Sequence, residues 1–576
     1  MQHLDLAFIN GSVFDGVATA PSKTDVGVRD GVIVTLDAGR VEAGTGSGTR
    51  VIDMTGQLLL PGFVDAHVHP VEGGVERLGC DLSGGWTRED YLGTIEEFVA
   101  GHPDSEWIIG GGWQQAAFPG GAPLASDLDA ISTDRPMVIS NRDHHSAWVN
   151  SIVLEMLGID RDYPDPEDGR IERDTDGNPT GTLHEGARSL AVRLAPQPTR
   201  DDMYDGLIEA QRLLHSFGIT GWQDALIGDY GNHSSDIVNV YQQAIDRGTL
   251  RARVNGAIWW DRAEDETKLQ EVLALQERFD GEYFRVSTVK IMQDGVTENQ
   301  TAAMLDPYVM SHSSCGGGEH GISFLEPEKL NRYVALLDGR GVQVHFHAIG
   351  DRAVRESLDA VERARAQNGN SGITHHIAHL QVVHPDDINR FSTLGVAANI
   401  QSLWASNDPQ MVKLNLPILG EERVARQYPF ASLFRSGAQM CAGSDWPVTS
   451  PDPWLGVHVA VNRQHPADHP DFNAEVFVPQ ERLTLDAALR AYTSGSAGIN
   501  SRDGYTGAIK EGYAADLVVA DRNPFDHPDH EIGKTRTVET FFAGESVYSA
   551  RSERVLPNQL HGKTDTQQTN AEQRRL

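Results

Sequence analysis

The sequence predicts an α/β protein: a (β/α)8 TIM-like barrel, a small β-sandwich domain built from both termini, and an insertion over the barrel mouth. Three observations carry this expectation. Eight apolar, strand-like segments alternate with helical ones through the middle of the 576 residues. Both ends instead alternate short β-like runs with Gly-rich turns. One stretch, from about Glu72 to about Pro198, is too long for a single βα crossover.

In chain order, the first sixty residues carry "LDLAFINGSVFDG", "DVGVRDGVIVTLD" and "RVIDMTGQLLLPG". The same texture returns in "GAIKEGYAADLVVADRNPF" and "TVETFFAGESVYSA", so residues 1–60 and 505–555 form one composite sheet domain. The barrel occupies 61–504. Its strands are expected in "GQLLLPGFVDAHVH", "ITGWQDA", "LRARVNGAIWW", "FRVSTVKIMQDG", "GVQVHFHAIG", "GITHHIAHLQ", "GVAANIQS" and "AQMCAGSDWPV". Helical patterns lie between most of them, such as "DDMYDGLIEAQRLLHSFG", closed by Gly218, and "DRAVRESLDAVERARAQ". The insertion, 72–198, has Gly- and Trp-rich segments of its own. The polar end, 556–576, reads as a flexible tail.

Composition narrows the partners. With 39% hydrophobic residues the chain can bury a large core, but 82 acidic against 48 basic residues give a formal net charge of −34. Such a surface repels nucleic acid and anionic membranes. Only eight residues are lysine. Cys80, Cys315 and Cys441 are odd in number and far apart, which reads as reduced thiols. The opening "MQHLDLAFINGSV" lacks the pattern of a signal peptide and no window approaches a membrane span, so a cytoplasmic location is expected.

The chemistry concentrates at strand ends. In "PGFVDAHVHP", alternation along a strand turns His67 and His69 the same way. If that way is inward, they point where barrel enzymes keep their active sites. Taken alone, the pair also fits an ordinary strand edge. The next candidates repeat the signal: His345 and His347 in "VQVHFHAIGD", His375, His376 and His379 in "ITHHIAHLQ", and Asp445 in "CAGSDWP". Imidazole and carboxylate suit Zn2+ and similar divalent ions, and a barrel mouth can gather them from distant positions. Lys290, in the apolar strand "VSTVKIMQDG", is the oddity, because a bare buried ammonium is costly. It faces outward with its head in water, pairs with a carboxylate such as Asp294, or takes up carbon dioxide as a carbamate that bridges two metals. Trp113 and Trp404 are candidates for the apolar wall of a substrate pocket, or simply packed. Cys441 is expected to be packing.

Taken together these motifs resemble the metal-dependent amidohydrolase superfamily, and within it the branch typified by N-substituted formamide deformylase (amidohydrolase family 3). "PGFVDAHVH" (Pro61 to His69), "HAIGD" (His347 to Asp351), "SDWP" (Ser444 to Pro447) and "GYAADLVVAD" (Gly512 to Asp521) carry the resemblance across almost the whole chain. "GGWQQAAFPGGAPLASDLDAISTDRPMVISNRDHHSAWVNS" is also similar to the branch's insertion. The resemblance implies that His67, His69 and Asp445 bind one metal, most simply Zn2+. A carbamylated Lys290 would bridge to a second ion held by His347 and His379, with His345 and His376 in supporting roles. Members with one metal also exist. The implied activity is hydrolysis of a non-peptide C–N bond, an amide or N-substituted formamide, by metal-activated hydroxide with Asp445 as general base and then acid. His145 matches a histidine in the family's similar segment and is implied to hydrogen-bond substrate; alternatively it and its neighbours Asp143, His144, Trp148 and Asn150 hold the insertion together.

The same scaffold supports a cyclic amide or ester hydrolase, or a deaminase. From another class, a non-catalytic metal-dependent small-molecule sensor would share the ligands, although it has no use for Asp445 beside an open metal position. The expected partner is a small-molecule substrate, and a homodimer is the default assembly.

Overall fold

The computed structural model describes residues 3–166, 168–229, 234–309 and 318–553. At its centre an eight-stranded sheet follows chain order: β1 (Phe63–Val68), β2 (Ile219–Ile227), β3 (Arg253–Trp259), β4 (Phe284–Met292), β5 (Gln343–Ala348), β6 (His376–His379), β7 (Ala397–Ile400) and β8 (Met440–Ala442). Every neighbouring pair is parallel. These are the eight segments the alternation pointed to. Helices cover the outside, so the strands read as buried runs and not as polar–apolar alternation; β1, β2 and β3 are buried at every residue.

The covering helices follow from their sequences. Arg200–Ser216 starts at Thr199, whose hydroxyl accepts the Asp202 N–H while the Asp202 carboxylate accepts the Thr199 N–H. Asp351–Asn368 buries Ala353, Val354, Leu358, Val361 and Ala364, a single stripe at helical spacing.

The barrel closes where β8 meets β1. The Asp445 N–H donates to the His67 carbonyl at 2.7 Å. The Asp65 carboxylate, 1% exposed, accepts the N–H groups of Ser444 and His67, each at 3.0 Å. Gly443 permits this approach, because a Cβ there would sit 2.5 Å from the His67 nitrogen.

Two terminal sheets pack as a sandwich. Leu6–Ile9, Val26–Arg29, Val32–Thr35 and Arg50–Asp53 form one; Ser12–Val13, Leu58–Pro61, Leu517–Ala520, Thr537–Phe542 and Glu545–Ser549 form the other. Leu6, Phe8, Val26, Leu59, Leu517, Val519 and Phe541 fill the space between them. Leu58–Pro61 runs directly into β1, so the sandwich hangs from the N-terminal end of the barrel, away from the strand ends that carry the chemistry. At the joint Arg253 Nε lies 2.6 Å from Asp516 Oδ2 and Nη1 lies 2.9 Å from Glu282 Oε1.

The inserted layer is a six-stranded sheet in the spatial order Gly169–Arg173, Pro179–Glu185, Ser146–Val149, Met137–Asn141, Ile108–Trp113 and Cys80–Asp81. Alternation along Met137–Asn141 splits its packing: Val138 joins one apolar cluster, while Met137 and Ile139 join another. Cys80 and Cys441 are buried free thiols. Cys315 and the tail 556–576 lie outside the described residues. Among the described residues no helix is long and apolar enough to cross a membrane.

Asp516→Ala removes the buried carboxylate from Arg253 and leaves its guanidinium only the half-exposed Glu282 at the joint between sandwich and barrel. The expected loss is about 3–5 kcal/mol of unfolding free energy, read from the denaturant midpoint and slope of the variant against wild type.

Candidate active site

A cavity of about 430 Å³ opens at the C-terminal strand ends, and its wall includes His67, His69, Lys290, His347, His379 and Asp445. His67 and His69 leave β1 on one side, as two-residue alternation requires. Their Nε2 atoms lie 3.1 and 3.0 Å from the same oxygen, Asp445 Oδ1. His379 Nδ1 lies 3.9 Å from Asp445 Oδ2, and the His347 and His379 rings are 4.3 Å apart. A carboxylate 376 positions after His69 therefore meets both imidazoles of the first strand.

Lys290 points inward, and the outward orientation that the sequence left open does not occur. It is 3% exposed, and its Nζ is buried without a hydrogen-bond partner. Burial pushes its amine down to about 7. Asp294 is not its partner: its oxygens accept the N–H groups of Ile349, Gly350 and Ala303 at 2.8–2.9 Å. Burial pushes the Asp294 carboxyl up to about 8.

The imidazoles are poor bases here. Burial, then the neighbouring Lys290, push His67 down to about 3 and hold His347 well below the ordinary range. Neutral imidazole is the ligating form. His347 Nε2 lies 3.3 Å from the Gly295 carbonyl, a contact that needs a proton on Nε2 and leaves Nδ1 free to ligate. His379 Nδ1 is buried with no hydrogen-bond partner. The orphaned Lys290 Nζ and His379 Nδ1, together with His67, His69 and Asp445 ligand atoms within 4.8 Å of one another, fit a divalent metal.

A second group, His465, His469 and Asp471, also lies in the cavity wall with donor atoms close together. Its two rings stack at 4.3 Å and 11°, so their in-plane lone pairs run side by side and do not converge on one ion.

The inserted layer supplies the facing wall. His145 Nδ1 lies 2.9 and 3.0 Å from the two Glu185 oxygens, and its ring is 5.9 Å from that of His347. Burial alone would push His145 down; the Glu185 charge and hydrogen bonds outweigh it and hold the imidazolium to about 9. His144 bridges Glu72 at 2.9 Å and Glu76 at 3.3 Å, clamping the inserted layer to the helix Pro70–Leu78 that follows β1. Asp445, His379, Glu185 and His144 all have positive φ, between 50° and 79°. Non-glycine residues rarely adopt that conformation, and it gathers where the surroundings hold it in place.

Trp404 lines the cavity, its ring 5.4 Å from that of His379. Trp113 requires a correction. It is fully buried inside the inserted layer, its Nε1 donates to the Ile139 carbonyl, and it packs against Phe118 and Trp148. Its ring serves that layer's own core, not a substrate wall. Trp148 and Asn150 likewise bond within the layer. His375 also departs from the strand-end group: its Nε2 lies 3.0 Å from Asp338, in the barrel wall. Cys441 packs with Ala66, Ala397 and Ile499. Sequence reasoning missed Asp65, Glu185, Glu72, Gln223 and Gln343; of these only Asp65 lay inside a quoted motif with an unexplained charge.

Residues 50–548 match the model of the amidohydrolase family. The chain belongs to that family. Over 526 residues this amidohydrolase is 30% identical to the putative amidohydrolase YtcJ of Bacillus subtilis, covering 90% of this chain and 95% of that one. It is 24% identical over 572 residues to N-substituted formamide deformylase of Arthrobacter pascens, 95% of this chain and 99% of that protein. The crystal structure of an uncharacterized metal-dependent hydrolase from Pyrococcus horikoshii OT3 superposes with a TM-score of 0.68 at 24% identity, over 91% of this chain and 99% of that one, a likeness of fold. Membership of that family makes the chain a hydrolase, and its converging donors suit a divalent ion.

The Glu185–His145 pair has a pH signature. It contributes stability that is complete below the ordinary imidazole pKa of about 6.5 and is lost as pH rises through about 9. Wild type is expected to lose stability across that interval more steeply than Glu185→Gln, as denaturant midpoints measured at a series of pH values will show.

Proposed function

We propose that this amidohydrolase cleaves a non-peptide C–N bond, in an amide or N-substituted formamide with an apolar N-substituent. The observation that carries this is the Asp445 carboxylate, gathered with His67 and His69 and facing a cavity with Trp404 in its wall. The similarity to N-substituted formamide deformylase along nearly the full length of both chains supports the bond class.

His67, His69 and Asp445 would hold one metal, and Lys290, His347 and His379 a second, with Zn2+ the ion that best suits nitrogen and carboxylate donors. When bound, such an ion supplies Lewis acidity at the substrate carbonyl and lowers the pKa of water. Asp445 Oδ2, the oxygen not shared by His67 and His69, takes a proton from the attacking water and returns it to the leaving nitrogen. The His145 imidazolium, anchored at Nδ1 by Glu185, offers Nε2–H to the substrate. Trp404 covers the apolar substituent and excludes water. Lys290 would become a carbamate: its amine, pushed down to about 7, is substantially uncharged at neutral pH, the form whose lone pair adds to carbon dioxide, and the N–H proton given up passes to solvent through the cavity.

Turnover of a panel of N-substituted formamides, amides, lactones and amino-heterocycles tests the bond class, and Asp445→Asn tests the base. The variant should lose about 10²–10⁴-fold in kcat with the preferred substrate. Wild-type turnover in the variant would remove Asp445 from the chemistry, and a preference for lactones or amino-heterocycles would move the activity to ring opening or deamination. Binding without any turnover would favour a sensor. Metal analysis of protein prepared with and without bicarbonate should give two ions and one ion per chain, respectively.

A further inference from the structure

We propose that His345 is a positioning residue that fixes the proton of His67 on Nδ1, so that Nε2 faces the metal position as a bare lone pair. The inference rests on His67 being a metal ligand and identifies what prepares it.

The argument starts at two backbone carbonyls. Gln343 Nε2 donates to the carbonyls of Thr374 and Ile499, each at 2.7 Å. A carbonyl only accepts, so the orientation of this amide is settled. Gln343 Oε1 then accepts the Thr288 hydroxyl at 2.7 Å and Gln223 Nε2 at 3.3 Å. That turns Gln223 Oε1 toward His345 Nδ1, 2.7 Å away. An oxygen with no hydrogen of its own needs a proton on His345 Nδ1.

His345 is fully buried, and among the described residues no carboxylate pairs with it. An unpaired charge at such a place is expensive, so the ring is neutral and its Nε2 holds a lone pair. His67 Nδ1 lies 2.9 Å from that lone pair and must donate to it. The His67 proton is thereby placed on Nδ1. Its Nε2 is left unprotonated, 3.1 Å from Asp445 Oδ1. Two acceptors at that distance repel unless a cation lies between them, which is what a metal supplies. Gln223, His345 and His67 are at most 1% exposed, so water does not substitute for any link.

The test measures Zn2+ dissociation constants by chelator competition on the full chain. His345→Phe keeps ring volume and removes the acceptor; His345→Gln keeps an oxygen within reach of His67 Nδ1. Zn2+ binding should weaken about 10–100-fold in His345→Phe and stay within about threefold of wild type in His345→Gln. Gln223→Leu, which removes the oxygen one step back, should weaken it about tenfold and serves if His345→Phe does not fold, as judged by thermal unfolding. Wild-type affinity in His345→Phe, or equal losses in the Phe and Gln variants, would overturn the proposal. Imidazole 15N shifts of the metal-free protein read the protons directly: His67 and His345 should both carry hydrogen on Nδ1, and a His67 Nδ1 without hydrogen would refute the relay. If wild type bound no divalent metal, the reading of the site would fail by itself, and the nitrogen shifts would still decide the tautomers.

Discussion

Everything at the cavity depends on the seam between β1 and β8. The hydrogen bond from the Asp445 N–H to the His67 carbonyl joins the first barrel strand to the last, and Asp65 adds two more backbone donors from the same place. Closing the sheet and assembling the donor set are therefore one event. If β8 slipped by one residue, alternation would turn its side chains to the other face, and Asp445 would no longer meet His67 and His69. The glycine at 443 is part of the same constraint, since any larger residue would push the seam open.

A barrel interior is normally filled by apolar side chains in layers. Here much of the layer beneath the cavity is polar: Gln223, Gln343, His345, His376 and Asn399 are all buried. Such a core is tolerated when its members satisfy one another, because a missing partner costs about 1–3 kcal/mol. The hydrogen bonds run in order. The His379 N–H donates to Gln401 Oε1, Gln401 Nε2 to Asn399 Oδ1, and Asn399 Nδ2 lies 3.2 Å from His376 Nδ1. Backbone groups, whose donor or acceptor character cannot change, start each line and propagate direction to the side chains. His376 Nε2 is left without a partner within the layer, and two further orphaned atoms, Lys290 Nζ and His379 Nδ1, belong to side chains in the cavity wall.

The inserted layer meets the barrel through charge. His144 between Glu72 and Glu76 fastens it to the helix after β1, and Gln115 Nε2 donates to Asn299 Oδ1 in the loop after β4. These contacts aim Asp143 and His145 at the cavity, while its own apolar clusters hold the layer's shape. The inserted layer is thus a separately packed unit that adds Asp143 and His145 to the cavity wall without supplying any of the His67, His69 and Asp445 group.

The barrel, the terminal sheets and the convergence of His67, His69, His347, His379 and Asp445 were legible in the sequence. The first two follow from local periodicity, since alternation sets which side chains share a face and strand number with intervening helices sets closure; periodicity also put histidines at the strand ends, but the choice of His347 over His345 and of His379 over His375 and His376 came from the family resemblance. Trp113 and Trp404 look alike in sequence, yet one fills the core of the inserted layer and the other faces the cavity, because burial depends on what packs against a ring from afar. The direction of Lys290, the Glu185–His145 pair and the Gln343–Gln223–His345 line were likewise decided only by the folded chain. The Glu185–His145 pair spans 40 positions and the links from Gln343 through Gln223 and His345 to His67 span 120 to 278, and no periodicity encodes a hydrogen bond across that distance.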